Sequence, residues 1–453
     1  MPNTLQTRLC RLAALLLLIF GSAAVSGRAI AQTPATEVKT LHRNLEAVAV
    51  SGTLVGDLSG APLAQLFVYT YSMAGWGGQI PIQIDERDAG GAYVSAEDNL
   101  LDANDEIVFM AMDLGDRAPD TASLAASLNI SPTWYEIQVA DPLSPTQKGW
   151  AYLVRSQSLS PTFRADYVDY NAAARRLNAN RYTLGYTNTF FGLDHVALNG
   201  GSNLLDRSKL RAVFEVTGLG PVRITEDNLG PPPEPPSLIK DGPVRVLLQQ
   251  EMIKTLSAGP AMATAGFQSS VAATAAAVQS STNFSFTINL PGVTLVRSRV
   301  SLDFDNSLSA AFYNANVPAG VAIDGNPDLV AATPVSHWSQ LSHSSGRLIQ
   351  VIDLSDAGGV PQNFYRDDPT PEVKDTGQPG SRGDHGFAVE NPVSDFSVNT
   401  ILFVLPAGAE NVGALYEAYF FNPLLITTTL RTGASQQPPE PAGPKIYLPL
   451  LIK

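Results

Sequence analysis

The feature that most limits what this chain can fold into is a hydrophobic period of two, repeated along most of its length. Ile80, Ile82 and Ile84 alternate in QIPIQID, and Phe284, Phe286, Ile288 and Leu290 alternate in NFSFTINL. In VRSRVSLDF, Val296, Ser298, Val300, Leu302 and Phe304 fall on one face, with Arg297, Arg299, Ser301 and Asp303 on the other. Successive side chains of a strand point to opposite faces, so this is the signature of half-buried strands. LFVYTY (66–71), WYEIQV (134–139), WAYLVR (150–155), RAVFEV (211–216), VRVLLQ (244–249), LIQVIDL (348–354), ILFVL (401–405) and LLITTTL (424–430) add further strands. The 36 glycines and 33 prolines punctuate these runs, and caps followed by a helical stripe are scarce. The expectation is a mainly β protein built of two β-sandwich domains. YVDYNAAARRLNANRY (167–182) accommodates a short helix. The Ala/Ser/Thr-rich 257–281 is read as strands against its helix propensity, because alternating segments flank it.

A domain boundary is expected in SQSLSPTFRA, near 156–165. It separates a sandwich over 40–155 from a larger one over 165–432. PPPEPP (231–236) is read as a loop, because Gly220-Pro221-Val222-Arg223 recurs as Gly242-Pro243-Val244-Arg245 on its other side. Such an echo predicts two neighbouring strands of one sheet.

The segment 1–31 reads as a signal peptide. Arg8 and Arg11 precede the apolar run 12–25, and Ala29-Ile30-Ala31 fits the small-x-small cleavage pattern. Export to the cell exterior or surface follows. The run is too short to span a bilayer, and no later segment is long and apolar enough, so no transmembrane segment is expected. The single cysteine, Cys10, lies before the run, which removes disulfide, thiolate and cysteine–zinc chemistry from the rest. The whole chain carries a net charge of −13, and the segment 1–31 holds three arginines and no acid. So acidic a chain repels nucleic acid, which is excluded as a partner.

GASQQPPEPAGP near the end is a proline-rich spacer, and Ile446-Tyr447-Leu448-Pro449-Leu450 follows it. Within the spacer and tail of 433–453, the last eight residues, 446–453, resemble the short IYLPL-type tails that close many exported proteins of certain filamentous bacteria, a resemblance that implies export and surface retention. The larger domain, with its GPVR strand starts and a long polar loop between late strands, resembles the supersandwich β-domains of polysaccharide lyases and mutarotase-like proteins. That likeness implies a supersandwich-like architecture and assigns no catalytic residue.

Two polar clusters are candidate sites. Between 85 and 120 fall 11 acids, against only Arg87 and Arg117. Ile107 stands where a calcium-binding EF-hand loop needs glycine, so the stretch is not an EF-hand. IVFMAM (107–112) reads instead as a strand buried on both faces. Convergence of the flanking turns would give a calcium site from Asp85, Asp98, Asp102, Asn104, Asp105 and Glu106. The second cluster is the stretch 364–392, read as a long ordered loop. It offers Tyr365, Arg366, Asp367, Asp368, Arg382, Asp384 and His385 as ligands for a sugar or an acidic glycan, with Trp338 as a stacking platform. His337 and His343, six apart, do not make a zinc pair. Arg382-Gly383-Asp384 spells an integrin-type tripeptide, a string too short to carry weight. Nucleotide-binding, GxSxG and HExxH motifs are absent.

Three functions fit these features. The first is an exported protein binding carbohydrate or another extracellular ligand. The second is a lyase-like polysaccharide-degrading enzyme, with Arg366, Arg382 and His385 neutralising an acid group and Tyr365 or His385 as base. The third is a structural component of the cell envelope.

Overall fold

The computed structural model describes residues 37–95, 98–119, 133–232, 234–258, 261–288, 291–393 and 395–432. The expected signal peptide and C-terminal tail lie outside the described residues. The fold is mainly β.

Near the N-terminus, strands β1 (Ala47–Ser51), β4 (Gln83–Asp85) and β5 (Glu106–Met110) pair in the order β1-β5-β4. A second sheet holds β2 (Leu66–Ser72), β3 (Gly75–Gln79), β6 (Thr133–Asp141), β7 (Ser144–Arg155) and, from the far end of the chain, β26 (Leu425–Thr432). Its order is β26-β6-β7-β2-β3. Both sheets contribute to one core, with Val48, Val50, Ile107 and Phe109 from the first and Val68, Ile137, Val139 and Leu153 from the second.

The larger sandwich has a nine-stranded sheet in the order β14-β15-β16-β17-β25-β22-β21-β19-β20. These strands are β14 (Ser237–Asp241), β15 (Arg245–Ala258), β16 (Ala261–Thr274), β17 (Ala277–Ile288), β19 (Ala310–Asn314), β20 (Val317–Ile323), β21 (Trp338–His343), β22 (Gly346–Asp353) and β25 (Asp395–Leu405). Two smaller sheets share its cores. One is β13-β12-β18-β24-β23, from β12 (Leu205–Val216), β13 (Gly220–Thr225), β18 (Val293–Phe304), β23 (Val360–Asp368) and β24 (Ser381–Glu390). The other is β11-β10-β9-β8, from β8 (Val168–Asn171), β9 (Arg176–Ala179), β10 (Tyr182–Tyr186) and β11 (Leu193–Leu198). Phe214 and Phe387 of the five-stranded sheet meet Phe267, Phe284 and Phe396 of the nine-stranded one. Among the described residues, the α-helices are α1 (Glu226–Leu229) and α2 (Gly413–Phe421), and no helix is long and apolar enough to cross a membrane.

Residues 257–281 run through three adjacent strands, β15 to β17. Register pairing on both sides of β16 overrides the helix propensity of its alanines. IVFMAM is buried on both faces as expected: Ile107 and Phe109 enter the N-terminal core, while Val108 and Met110 face the larger sandwich with Val244 and Ala275. Three expectations are corrected. The helix expected within 167–182 is a hairpin of β8 and β9, whose turn is tied by Asn171 Oδ1 accepting from Ala174 N at 2.9 Å. The two GPVR segments are not neighbours: one opens β13 and the other leads into β15, in different sheets. The stretch 364–392 is not one long loop but the hairpin of β23 and β24, with 369–380 connecting them.

The chain also crosses the boundary expected near 160. β26 returns to pair with β6 from Leu425↔Ala140 to Thr432↔Thr133, and Leu424 and Ile426 enter the N-terminal core. Without β26, β6 would be an open edge beside an incomplete core. A chain ending after Pro423 is therefore expected to melt more than about 5 °C below one ending after Thr432, and to self-associate. Thermal melts and size-exclusion chromatography of the two truncations check this.

Candidate functional site

The acidic stretch does its work at the junction of the two sandwiches. Arg245, at the start of β15, is buried and reaches across to the N-terminal sandwich. Its Nε donates to Asp85 Oδ2 at 2.6 Å, and its Nη2 donates to Glu106 Oε2 at 2.6 Å and to Tyr93 Oη at 3.0 Å. Burial opposes the Arg245 charge, but Tyr93, Asp85 and Glu106 together hold its pKa above the usual guanidinium value. Arg87 adds a second cation, 3.1 Å from Glu106 Oε1. Gly242 of the GPVR echo lets Gln83 come close here, since a Cβ would stand 2.2 Å from Gln83 Oε1 and displace that side chain. That same Gln83 oxygen accepts from Arg245 N at 3.0 Å.

The remaining members of the expected calcium site are directed at the chain itself. Asp105 accepts from Asp102 N at 2.6 Å and Arg87 N at 3.0 Å, and Asp98 accepts from Leu100 N at 2.8 Å. Asn104 donates to the Arg87 and Asp88 carbonyls. Asp102 lies in the turn before β5, with its amide tied to Asp105. Asp85 and Glu106 face Arg245, whereas Asp98, Asn104 and Asp105 fasten turns; Asp102 and Asp98 lie near Asp105, whose pKa is raised by burial and then by their charges. Among the described residues, no three His, Cys, Asp or Glu side chains are placed to hold a metal ion.

The second expected site is also mostly interior. The connection 369–380 lies as a strap over the five-stranded sheet, on the face carrying Arg299, Ser301 and Asp303. Under it, Lys209 is fully buried, with Nζ 2.5 Å from Asp303 Oδ2 and 3.3 Å from Asp375 Oδ1. Glu372 of the strap takes Arg299 in a two-point contact of 3.1 and 2.5 Å, and Glu226 of α1 pairs with Arg211 and Arg207. Asp384 is wholly buried, and neither carboxylate oxygen has a hydrogen-bond partner among the described residues. Burial, and then the neighbouring Asp384 charge, push the Asp303 carboxyl up to about 7 against the pull of Lys209.

The other expected ligands are similarly committed. Asp367 is buried and accepts from Asp324 N, Gly325 N and Gly383 N. Asp368 fastens the turn at Thr370 N, and Arg366 bonds Asp368 and the Thr370 carbonyl. Arg382 donates to the Leu308 carbonyl at 2.7 Å. His385 is buried against Phe304 and Phe312, where burial lowers its pKa. Tyr365 packs on Phe312 and, with its hydroxyl raised by burial and nearby Asp367, is no ready base. Gly383 and Asp384 are buried within β24, so Arg382-Gly383-Asp384 is not a displayed tripeptide. Trp338 belongs to a different place: it is core beneath α2, where its ring leaves no room for a Cβ at Gly413.

A cleft of about 710 Å³ lies open between β1 and the nine-stranded sheet, closed at one end by the segment from Tyr419 to Ile426. Alanines 47, 49, 272 and 277 leave the space, and Phe403, Phe420 and Phe421 line it. Asn104, Gln279 and Asp353 add polar groups, and the Arg245–Glu106 pair lies at its wall. Glu46, at the other end, is held by Arg43 at 2.6 Å, with burial raising its pKa. Of the cleft, only Asn104 and Glu106 were singled out from the sequence. The available signal was the run of small residues at 272–277 beside strand-forming sequence.

No family model and no curated protein matches the chain. Among solved structures, it is similar to an alpha-mannosidase from Enterococcus faecalis V583, with a TM-score of 0.46 and 10% identity over 91% of this chain and 47% of that one. It is also similar to a protein in the glycosyl hydrolase family 38 from Enterococcus faecalis, with a TM-score of 0.47 and 10% identity over 91% and 48%. The chain spans about half the length of each.

The buried charges make two predictions. Arg245→Ala strands two buried carboxylates and is expected to cost about 3–5 kcal/mol, read by denaturant melts. Adding Asp85→Asn and Glu106→Gln should recover part of that loss. Asp303 holds its proton to about pH 7 when folded, whereas an unfolded aspartate releases it near 4. Its stability contribution is therefore full below that unfolded value and is lost as pH rises through 7. Asp384→Asn removes the charge next to it. The stability of this variant relative to wild type should thus rise between pH 5 and pH 8, on the order of 1–2 kcal/mol. Melts at the two pH values measure it.

Proposed function

We propose that this is an exported binding protein that holds a neutral carbohydrate in the cleft between its two sandwiches. The observation that carries the reading is the cleft itself, an alanine-floored space of about 710 Å³ with phenylalanines on its wall and polar groups beside them. Concave sites with apolar walls and a few polar groups are the usual ligand sites of proteins. A sugar ring matches such walls, because its C–H faces stack on aromatic rings and its hydroxyls pair with amides and carboxylates at the edge. Export rests on the reading of the segment 1–31 as a signal peptide.

Binding is favoured over catalysis by the state of the two cleft glutamates, while Asp353 accepts from Ser355 N at 2.9 Å. Glu106 is fixed by Arg245 and Arg87, and Glu46 by Arg43. Such pairs are acceptors and walls rather than free acids or bases. The lyase-like alternative loses its expected residues, since Tyr365 and His385 pack on Phe312 and Arg382 is tied to the Leu308 carbonyl, and the pair left to it is Asp303 and Asp384, whose neighbouring charges resemble a tuned acid pair. Both lie beneath the strap, out of reach of a polymer unless 369–380 lifts.

Calorimetric titration of a panel of neutral and acidic oligosaccharides tests the reading. Binding of a neutral oligosaccharide, abolished by Ala49→Trp or Ala272→Trp with the melt retained, is the expected outcome. Binding that survives filling of the cleft would overturn the assignment. Appearance of unsaturated uronate absorbance would move it to the enzyme.

A further inference from the structure

A second pocket lies on the outer face of the five-stranded sheet, away from the cleft. It has a volume of about 280 Å³ and is lined by Arg211, Arg223, Arg297, Arg299, Glu372 and Val373, among others. We propose that it is a binding site for a single oxyanion group, a carboxylate or sulfate carried by a ligand, held between Arg223 and Arg297. This goes beyond the carbohydrate reading of the cleft and does not depend on it.

Strand register brings the four guanidinium groups together. Val213 of β12 stands opposite Arg223 of β13 on one side and Arg297 of β18 on the other. Two residues along, Arg211 stands directly opposite Arg299. Like charges facing each other across a ladder repel unless anions intervene. The chain supplies anions for the inner pair: Glu226 takes Arg211, and Glu372 of the strap takes Arg299. The outer pair is served less well. Among the described residues Arg297 has only Glu390, whose Oε1 lies 3.1 Å from its Nε yet out of line for a hydrogen bond. Arg223 has no ion-pair or hydrogen-bond partner among the described residues, although it is half-buried.

The donors point the same way. Nε of Arg211, Arg297 and Arg299 are all buried without a hydrogen-bond acceptor among the described residues. Buried donors without acceptors are rare in native proteins. These nitrogens are not themselves open to the pocket, and Arg211 Nε and Arg297 Nε lie 3.6 Å from Glu372 and 3.1 Å from Glu390; they show that this row of arginines is short of well-placed acceptors. A guanidinium offers its donors as a planar fork, which suits a carboxylate or sulfate. Glu372 already shows the mode in the inner half of the site, gripped by Arg299 at two points. A ligand oxyanion would repeat that arrangement one row further out, with Val373 beside it. The excess of cations is local, since the chain as a whole carries −13.

Thermal shift of the full chain, titrated with sodium sulfate and separately with sodium glucuronate, tests the site. Chloride replaces the titrant at constant ionic strength. A saturable rise in Tm with either anion is expected, and it should be at least about tenfold weaker in Arg223→Gln and Arg297→Gln. Arg164→Gln, an exposed arginine outside the pocket, should behave as wild type. Arg223 and Arg297 are both part-exposed, so their glutamine variants are expected to fold, and their melts without anion verify it. No saturable shift with either anion would overturn the proposal, as would an unchanged response in both pocket variants. Equal weakening by Arg164→Gln would overturn it too, by marking the effect as general charge.

Discussion

The structure depends on one buried cation. Arg245 crosses from the nine-stranded sheet into the N-terminal sandwich and meets Asp85 and Glu106 there, each at 2.6 Å. Both carboxylates lie at the paired ends of β4 and β5, and β1 joins the other side of β5. The same cation therefore fixes the small sheet and its position on the larger sandwich. Such a triad is worth little as raw stability, because desolvation consumes most of the attraction. Its value is geometric, since any other docking of the two sandwiches would leave charges buried and unpaired. The cleft exists because this docking holds small residues of β1 opposite small residues of β16 and β17.

The larger sandwich carries a related arrangement on its outer sheet. VRSRVSLDF puts Arg299, Ser301 and Asp303 on the face away from the core, yet all three are buried. The strap between β23 and β24 covers them and meets each cation with an acid of its own, Glu372 for Arg299 and Asp375 for Lys209. The sheet is thus apolar on one side and, beneath the strap, electrically matched on the other. Asp384 sits among these charges without a hydrogen-bond donor among the described residues; its charge supports Lys209 and Arg299 and helps raise the pKa of Asp303.

Much of the fold was legible in the sequence, and the reason is periodic. Alternation in NFSFTINL and VRSRVSLDF is a local property, and the strands lie where it falls. IVFMAM, apolar throughout, is buried on both faces. Pairing between distant segments leaves no local trace. LLITTTL reads as a strand, but nothing in it says that β6, from the first third of the chain, is its neighbour. The two GPVR segments mislead for the same reason. Gly220 is there for a positive φ, and Gly242 for the approach of Gln83, so a shared string serves two backbone needs. Site residues were harder still. Charged residues in Gly/Pro-rich sequence suggest a displayed surface, but Asp367, Asp384 and His385 are interior, and Trp338 is core on another face.

The difference between a used and an unused charge cannot be read from composition. Arg245, Arg299 and Lys209 sit among acids contributed by other strands and loops, and their charges are neutralised inside the fold. Arg223 and Arg245 occupy the same place in identical four-residue strings. One leads into β15, between two strands and beneath a second sandwich, and its guanidinium is enclosed by acids. The other lies in the edge strand β13, where the covering strap stops short of it. Position in the sheet, and not the residue, decides which arginine holds the protein together and which is left to meet something outside it.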